Sequence, residues 1–263
     1  QGSPVVIGAP GFSPFEHKQR ASLLLSNGVV YVPFGSNCDL GDYHGWVFGY
    51  DAASLAGVGV FNVSPQAGGS SFWNAGAIPV AYASGNTFIV SANGTYDIPS
   101  GGQDYGDSVL RLKAAPELTV SDYFTPFNQS QLNLADIDLG SSTVVLLPEA
   151  VGSSAHPRLL VTAGKEGRLY LLDRDHLGGG QVDSDRGAVA SLPILGHSLF
   201  GVPAYFNGNI YVGAEYSMLR SYAISIADLN QTPAASTSFT AGALGEVPSI
   251  SANGSQNGIV WMS

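Results

Sequence analysis

One short pattern returns four times along these 263 residues, an apolar strand, a gap, then a second apolar strand, three times behind a Gly/Asn turn. It reads Asn27-Gly28 and Val29-Val30-Tyr31-Val32 followed by Trp46-Val47-Phe48-Gly49-Tyr50-Asp51, then Gly85-Asn86 and Thr87-Phe88-Ile89-Val90 followed by Ser108-Val109-Leu110-Arg111-Leu112. It returns as Leu159-Leu160-Val161 with Arg168-Leu169-Tyr170-Leu171-Leu172-Asp173, and as Asn207-Gly208, Asn209-Ile210-Tyr211-Val212 with Leu219-Arg220-Ser221-Tyr222-Ala223. A fifth copy begins at Asn257-Gly258-Ile259-Val260-Trp261. Spacings of roughly 45 to 70 residues fall in or just above the range of propeller blades, where each unit is a four-stranded sheet that cannot bury both faces alone. The repeat predicts an all-β chain: one β-propeller domain of four-stranded antiparallel blades, about four to five of them. The units fall near 21–80, 81–142, 143–206 and 207–252, with a partial one at 253–263.

Composition agrees with many short strands joined by tight turns. Gly numbers 34 and Pro 15, only 11% of residues are charged, and no helical periodicity lasts three turns. The net charge of −10 repels a phosphate backbone, so no nucleic-acid partner is expected. Apolar runs such as Thr143 to Leu147 are strand-length, and no membrane span is expected. The lone Cys38 excludes an internal disulfide. Five acceptor sequons, at Asn62, Asn93, Asn128, Asn230 and Asn253, favour an extracellular, N-glycosylated protein. The sequence carries no signal peptide, so the secreted reading takes it as a mature form beginning at Gln1.

Residues 1–20 lack a full strand pattern, and the last repeat has one clear strand. An incomplete propeller exposes unpaired strand edges. Three covers are open: residues 1–20 acting as a strap on the final blade, association of chains through the open edges, or continuation of the chain.

Three stretches resemble pyrroloquinoline quinone (PQQ) dehydrogenases. Gly68-Gly69-Ser70-Ser71-Phe72-Trp73, with Gly85 to Gly94 after it, is similar to the run from a cofactor-stacking Trp to a calcium-binding Asn. Gly164-Lys165-Glu166-Gly167-Arg168-Leu169-Tyr170-Leu171-Leu172-Asp173-Arg174 is similar to the strand bearing a cationic cofactor ligand. Over most of its length the chain looks more like secreted proteins with PQQ-like repeats, through His44-Gly45-Trp46, Asp122-Tyr123-Phe124-Thr125-Pro126-Phe127-Asn128 and Asp136-Ile137-Asp138-Leu139-Gly140.

The resemblance implies a quinoprotein-like propeller with Trp73 on the quinone plane, Lys165 on its oxygens, Asn93 on calcium, and Asp104 or Asp107 as general base. Such a site is chemically coherent, joining an aromatic face, a hard cation and a proton acceptor. The chain departs from the family at three places. Leu40 stands where the family has a calcium-binding Glu, leaving Asp39 and Asp42 as the nearby carboxylates. One Cys cannot form the adjacent pair, and the blade-docking consensus survives only as Tyr50-Asp51-Ala52-Ala53-Ser54-Leu55-Ala56-Gly57 with Phe61.

Each candidate also has a plain structural reading. Trp73 suits inter-blade packing, Asn93 a turn or a sequon, and Lys165 a solvated hairpin tip. Asp173-Arg174-Asp175-His176 suits a strand end, and the acidic segments Asp39 to His44 and Asp183-Ser184-Asp185 suit solvated loops. The five His residues show no zinc spacing, and no Gly-x-Ser-x-Gly elbow is present. Two functions follow. The first is a secreted, non-catalytic propeller that binds a carbohydrate or small molecule, or associates with itself. The alternative is a PQQ- and calcium-dependent dehydrogenase of alcohols or sugars.

Overall fold

The structure, a computed structural model, describes residues 3–74, 77, 79–82 and 85–263, so Gln1 lies outside the described residues. The chain folds as successive sheets of antiparallel strands whose order within each blade follows chain order, with Gly179–Gly180 added parallel to Val120–Thr125 at the edge of the second. The first blade runs through Leu24–Ser26, Val29–Ser36, Trp46–Asp51 and Gly57–Asn62. The second uses Val80–Ala81, Thr87–Val90, Val109–Leu112 and Val120–Thr125, and the third Val145–Leu146, Leu159–Ala163, Leu169–Asp173 and Ala190–Leu192. The fourth has Ala204–Phe206, Asn209–Val212 and Arg220–Ser225, the last paired by both Asp228–Leu229 and Ala235–Ser236. A hairpin of Pro248–Asn253 and Gln256–Met262 follows.

The Asn-Gly turns join the first two strands of a blade. Asn27 and Gly28 have φ of 49° and 76°, and Asn207 and Gly208 have 45° and 73°. Left-handed φ at both positions matches the twist of the flanking strands, which is why Asn-Gly recurs there. Each unit therefore starts one strand before its turn, and the fifth begins at Pro248 rather than at 253. Its first strand, Pro-Ser-Ile-Ser-Ala-Asn, has a single large apolar residue and does not read as a strand.

Period-two alternation sends neighbouring side chains into different seams. In the third blade Leu159, Val161, Leu169 and Leu171 pack against Ile210, Val212 and Tyr222 of the fourth. Between them, Leu160, Tyr170 and Leu172 turn the other way, onto Phe88, Val90 and Val109 of the second. Ile89, Leu110 and Leu112 in turn meet Tyr31, Val47 and Phe72. Apolar residues on both faces are what a stack of sheets requires, and each seam is a separate dry core.

Among the described residues, those before the first blade pack on that blade and do not strap the final one. His17–Lys18 pair with Gly35 and Ser36 of the first blade, and Ile7, Ala9 and Phe12 cover its outer face over Val32, Trp46 and Phe48. The connection from the second blade to the third holds a short α-helix, Gln129–Ala135, closed by Asp136 at φ 56°. That connection delivers Asp136 and Asp138 to the site. No helix among the described residues is long and apolar enough to cross a membrane.

Candidate functional site

A cavity of about 610 Å³ collects residues from corresponding positions of successive units. Asp39 and Tyr43, Asn93, and Lys165 sit in the loops after the second strands of the first, second and third blades. Trp73, Asp138, Phe200 and Val247 come from the connections leading into the next unit. Contribution by every unit from equivalent places puts the cavity on the axis side of the blades, where propellers carry ligands.

One wall is an ionic lattice. Lys165 Nζ lies 2.5 Å from Asp138 Oδ2 and 3.4 Å from Asp136 Oδ2, and donates to the Asp136 carbonyl oxygen at 3.0 Å. Asn93 ties the same carboxylates: its N–H donates to Asp138 Oδ1 at 3.1 Å and its Nδ2 to Asp136 Oδ1 at 2.7 Å. Burial works against the Lys165 charge, but the two aspartates outweigh it and hold the ammonium above its ordinary pKa. The Asn93 Oδ1 atom is buried without a hydrogen-bond partner.

The facing wall is formed by the first blade. Asp39 accepts from Ser36 Oγ, and the Tyr43 phenol is pushed up to about 12, first by burial, then by the charge and hydrogen bond of Asp39, then by Asp138 and Asp136. The floor carries Trp73, with the Arg20 guanidinium carbon 5.8 Å from its ring centroid. Arg20 is exposed and has no carboxylate at ion-pair distance among the described residues.

The structure thus brings together four of the predicted site residues, Trp73, Asn93, Lys165 and Asp39, on one cavity, and leaves three outside it. Asp42 is turned to solvent, 3.9 Å from His44 Nε2, with its side chain 87% exposed. Asp104 is fully buried, accepting from the Gln66 N–H at 3.0 Å, with Oδ2 unpartnered. Asp107 is also fully buried. It accepts from Leu139 N–H at 3.0 Å and Gln129 Nε2 at 3.3 Å, and burial pushes its carboxyl up to about 7 against the Leu139 hydrogen bond. Neither buried aspartate lines the cavity.

Sequence reasoning missed Arg20, Tyr43, Asp136 and Asp138 as cavity residues. The signal was positional: Asp138 occupies the connection between blades that also supplies Trp73 one unit earlier. The other acidic segments are structural. Asp173 meets His156 Nδ1 at 2.9 Å, Asp175 meets Arg158 at 2.8 Å, and Asp185 accepts from Phe127 N–H and Ser191 Oγ.

The unpartnered Asn93 Oδ1 has the character of a cation ligand, but the carboxylates beside it are already held by Lys165. No three His, Cys, Asp or Glu residues gather to hold a metal among the described residues. PQQ is an acidic quinone that would need a cation free to meet it; Lys165 is committed to two aspartates, and Arg20, the other cation of the lining, lies over the Trp73 ring on which the quinone would stack. The donor arrangement therefore does not fit calcium and PQQ together.

No family model and no curated protein matches the sequence. Among solved structures, quinohemoprotein alcohol dehydrogenase ADHIIG from Pseudomonas putida HK5 overlays with a TM-score of 0.51 at 15% identity, covering 76% of this chain and 37% of that one. A europium-containing methanol dehydrogenase gives 0.49 at 14% identity, covering 79% and 46%, and BamB from Moraxella catarrhalis gives 0.41 at 9%, covering 78% and 61%. The chain spans 37% of the length of the first of these. Such distant likeness speaks to fold alone, and the fold is a β-propeller.

Proposed function

We propose that this propeller is a non-catalytic binding module that takes a carbohydrate or another small polar ligand in its axial cavity. The observation that carries the reading is a division of labour. Trp73, Asn93 and Tyr43 face the cavity with Asp39, Asp136 and Asp138, each already engaged by Ser36, Asn93 or Lys165, whereas Asp104 and Asp107, the two general bases that the resemblance implies, are sealed away from it. A base must come within hydrogen-bond reach of the proton it removes. An aromatic face ringed by fixed polar groups suits a sugar, with the ring supplying apolar area and the polar groups setting orientation.

The test is isothermal titration of oligosaccharides, neutral and charged, into the wild type and Trp73→Ala. Saturable binding that Trp73→Ala abolishes supports the reading; no binding to the wild type contradicts it. The dehydrogenase alternative is favoured by one observation, the convergence of Trp73, Asn93 and Lys165 on a single cavity. Titration with PQQ and calcium separates the two.

We place the module outside the cell. Among the sequons, Asn230 and Asn253 are exposed and suit glycosylation, whereas the Asn93 amide nitrogen is bonded to Asp136 in the cavity wall. Peptide mapping by mass spectrometry after expression in a glycosylating host tests this: glycans at Asn230 and Asn253 with Asn93 bare are expected, bare Asn230 and Asn253 contradict the placement, and a glycan on Asn93 contradicts its place in the cavity wall.

A further inference from the structure

Resting on the cavity being a ligand site, we infer that its ligand is positively charged, of the class of ammonium-bearing glycans such as glucosamine oligomers. Three independent features point the same way.

The first is charge. The cavity is lined by Asp39, Asp136 and Asp138 against Lys165 and Arg20. Lys165 is locked into the wall by Asp136 and Asp138, which leaves Arg20 as the one movable cation. With Arg20 moved aside the lining carries an excess of carboxylate, and a concave wall of one sign of charge focuses that field. The raised Tyr43 phenol reports the same field from the opposite side, since Asp39, Asp138 and Asp136 all disfavour a further negative charge there.

The second is the aromatic floor. The Arg20 guanidinium already lies over the Trp73 ring at 5.8 Å, the geometry by which the negative face of an indole attracts a cation. Arg20 is exposed and free of ion pairs among the described residues, so it is an internal stand-in that a ligand cation can displace. A third feature is the Asn93 Oδ1 atom, an acceptor with no donor. An ammonium supplies up to three donors and no acceptor, matching both this atom and the carboxylates.

The experiment titrates the intact chain with three tetramers that share a β-1,4-linked glucose-type backbone: glucosamine, N-acetylglucosamine and glucose. The glucosamine tetramer is expected to bind about tenfold tighter than the other two at low salt, with the gap closing as salt screens the field. The gap should also close at alkaline pH, where the amine loses its proton. Arg20→Ala should tighten glucosamine binding a few-fold by removing the competitor, and Asp39→Asn should weaken it, with thermal unfolding of both variants confirming an intact fold. Equal affinity for all three tetramers, or an Arg20→Ala variant that binds glucosamine less well, overturns the inference while leaving the cavity as a neutral-sugar site. Failure of every tetramer to bind overturns both it and the reading on which it rests.

Discussion

Trp46 and Trp261 sit at the two ends of the same run of sheets, and one is buried while the other is not. Trp46 is 5% exposed on the outer face of the first blade, where Phe12 meets it edge-on at 6.0 Å beneath Ile7 and Ala9. Trp261 is 56% exposed on the outer face of the last hairpin, beside Ile259 at 52%. Both strands alternate in the same way: Pro248 and Ile250 pair with Met262 and Val260 on one side, and Ser249 and Ser251 pair with Trp261 and Ile259 on the other. What differs is the cover. The strand alternation decides that a residue faces outward, and a separate segment decides whether that face meets water.

His17 holds the cover in place. It is 4% exposed and stacks on Phe12 at 4.8 Å. Its Nε2 accepts from the His44 N–H at 3.0 Å and the Trp46 indole N–H at 3.2 Å. With Nε2 filled by two donors, the ring proton resides on Nδ1, which donates to the Ser13 carbonyl at 2.7 Å. The last hairpin has only exposed side-chain ties among the described residues, from Trp261 Nε1 to Ser251 Oγ at 2.8 Å and from Asn207 Nδ2 of the fourth blade to the Ser255 carbonyl at 2.6 Å.

The largest expected effect is at the covered end. Trp46→Ala removes a buried indole from the Phe12, Phe48 and His17 cluster and should destabilise by about 3–5 kcal/mol in urea unfolding. A loss below about 1 kcal/mol would mean that residues 7–12 do not cover this face in solution.

Next comes a pH effect inside a closed seam. Asp107 has its folded pKa raised to about 7 from 3.8, so the native state holds a proton that the unfolded chain has lost. Between those values the folded state binds more protons, and stability falls as pH rises from about 4 through 7. Across that window the loss is a few kcal/mol, and Asp107→Asn should flatten it. Melting curves between pH 4 and 8 check this, and parallel profiles for both proteins would refute it.

His17→Ala strands two buried donors, the His44 N–H and the Trp46 indole N–H, and should cost about 1–3 kcal/mol. Limited proteolysis should then cut within residues 3–16 first, and protection equal to the wild type would break the latch argument.

The smallest effect belongs to the open end. Trp261→Ala should change stability by less than about 0.5 kcal/mol. A cost near that of Trp46→Ala would show the hairpin is covered in solution, and sedimentation would then reveal whether a second copy covers it through the open edge.

Much of the fold was legible because seams between sheets demand apolar residues on both strand faces. Leu159 to Val161 and Leu169 to Leu172 carry that demand openly. The first strands of the blades were not legible, since Val80–Ala81 and Val145–Leu146 have only two residues each. The cover over the first blade was also hidden. Ile7, Ala9 and Phe12 belong to no strand, and their partner surface lies beyond several turns of sequence.

At the site, resemblance located Trp73, Asn93 and Lys165 because each sits at a recurring place in its unit. It did not supply the electrostatics. That Lys165 is bound by Asp138 and Asp136, and that Asp107 lies behind the wall, depends on how one connection between blades folds over its neighbour. The short helix Gln129–Ala135 that sets this course has too few residues to show periodicity.

The central claim is that the axial cavity binds ligand without a quinone cofactor. The most direct measurement adds PQQ and calcium to the purified chain and follows cofactor absorbance together with melting temperature. The account predicts no saturable change in either signal, while an oligosaccharide raises the melting temperature of the wild type and not of Trp73→Ala. A saturable shift with PQQ and calcium that Lys165→Ala and Asn93→Ala abolish would contradict the account and make this chain a quinoprotein.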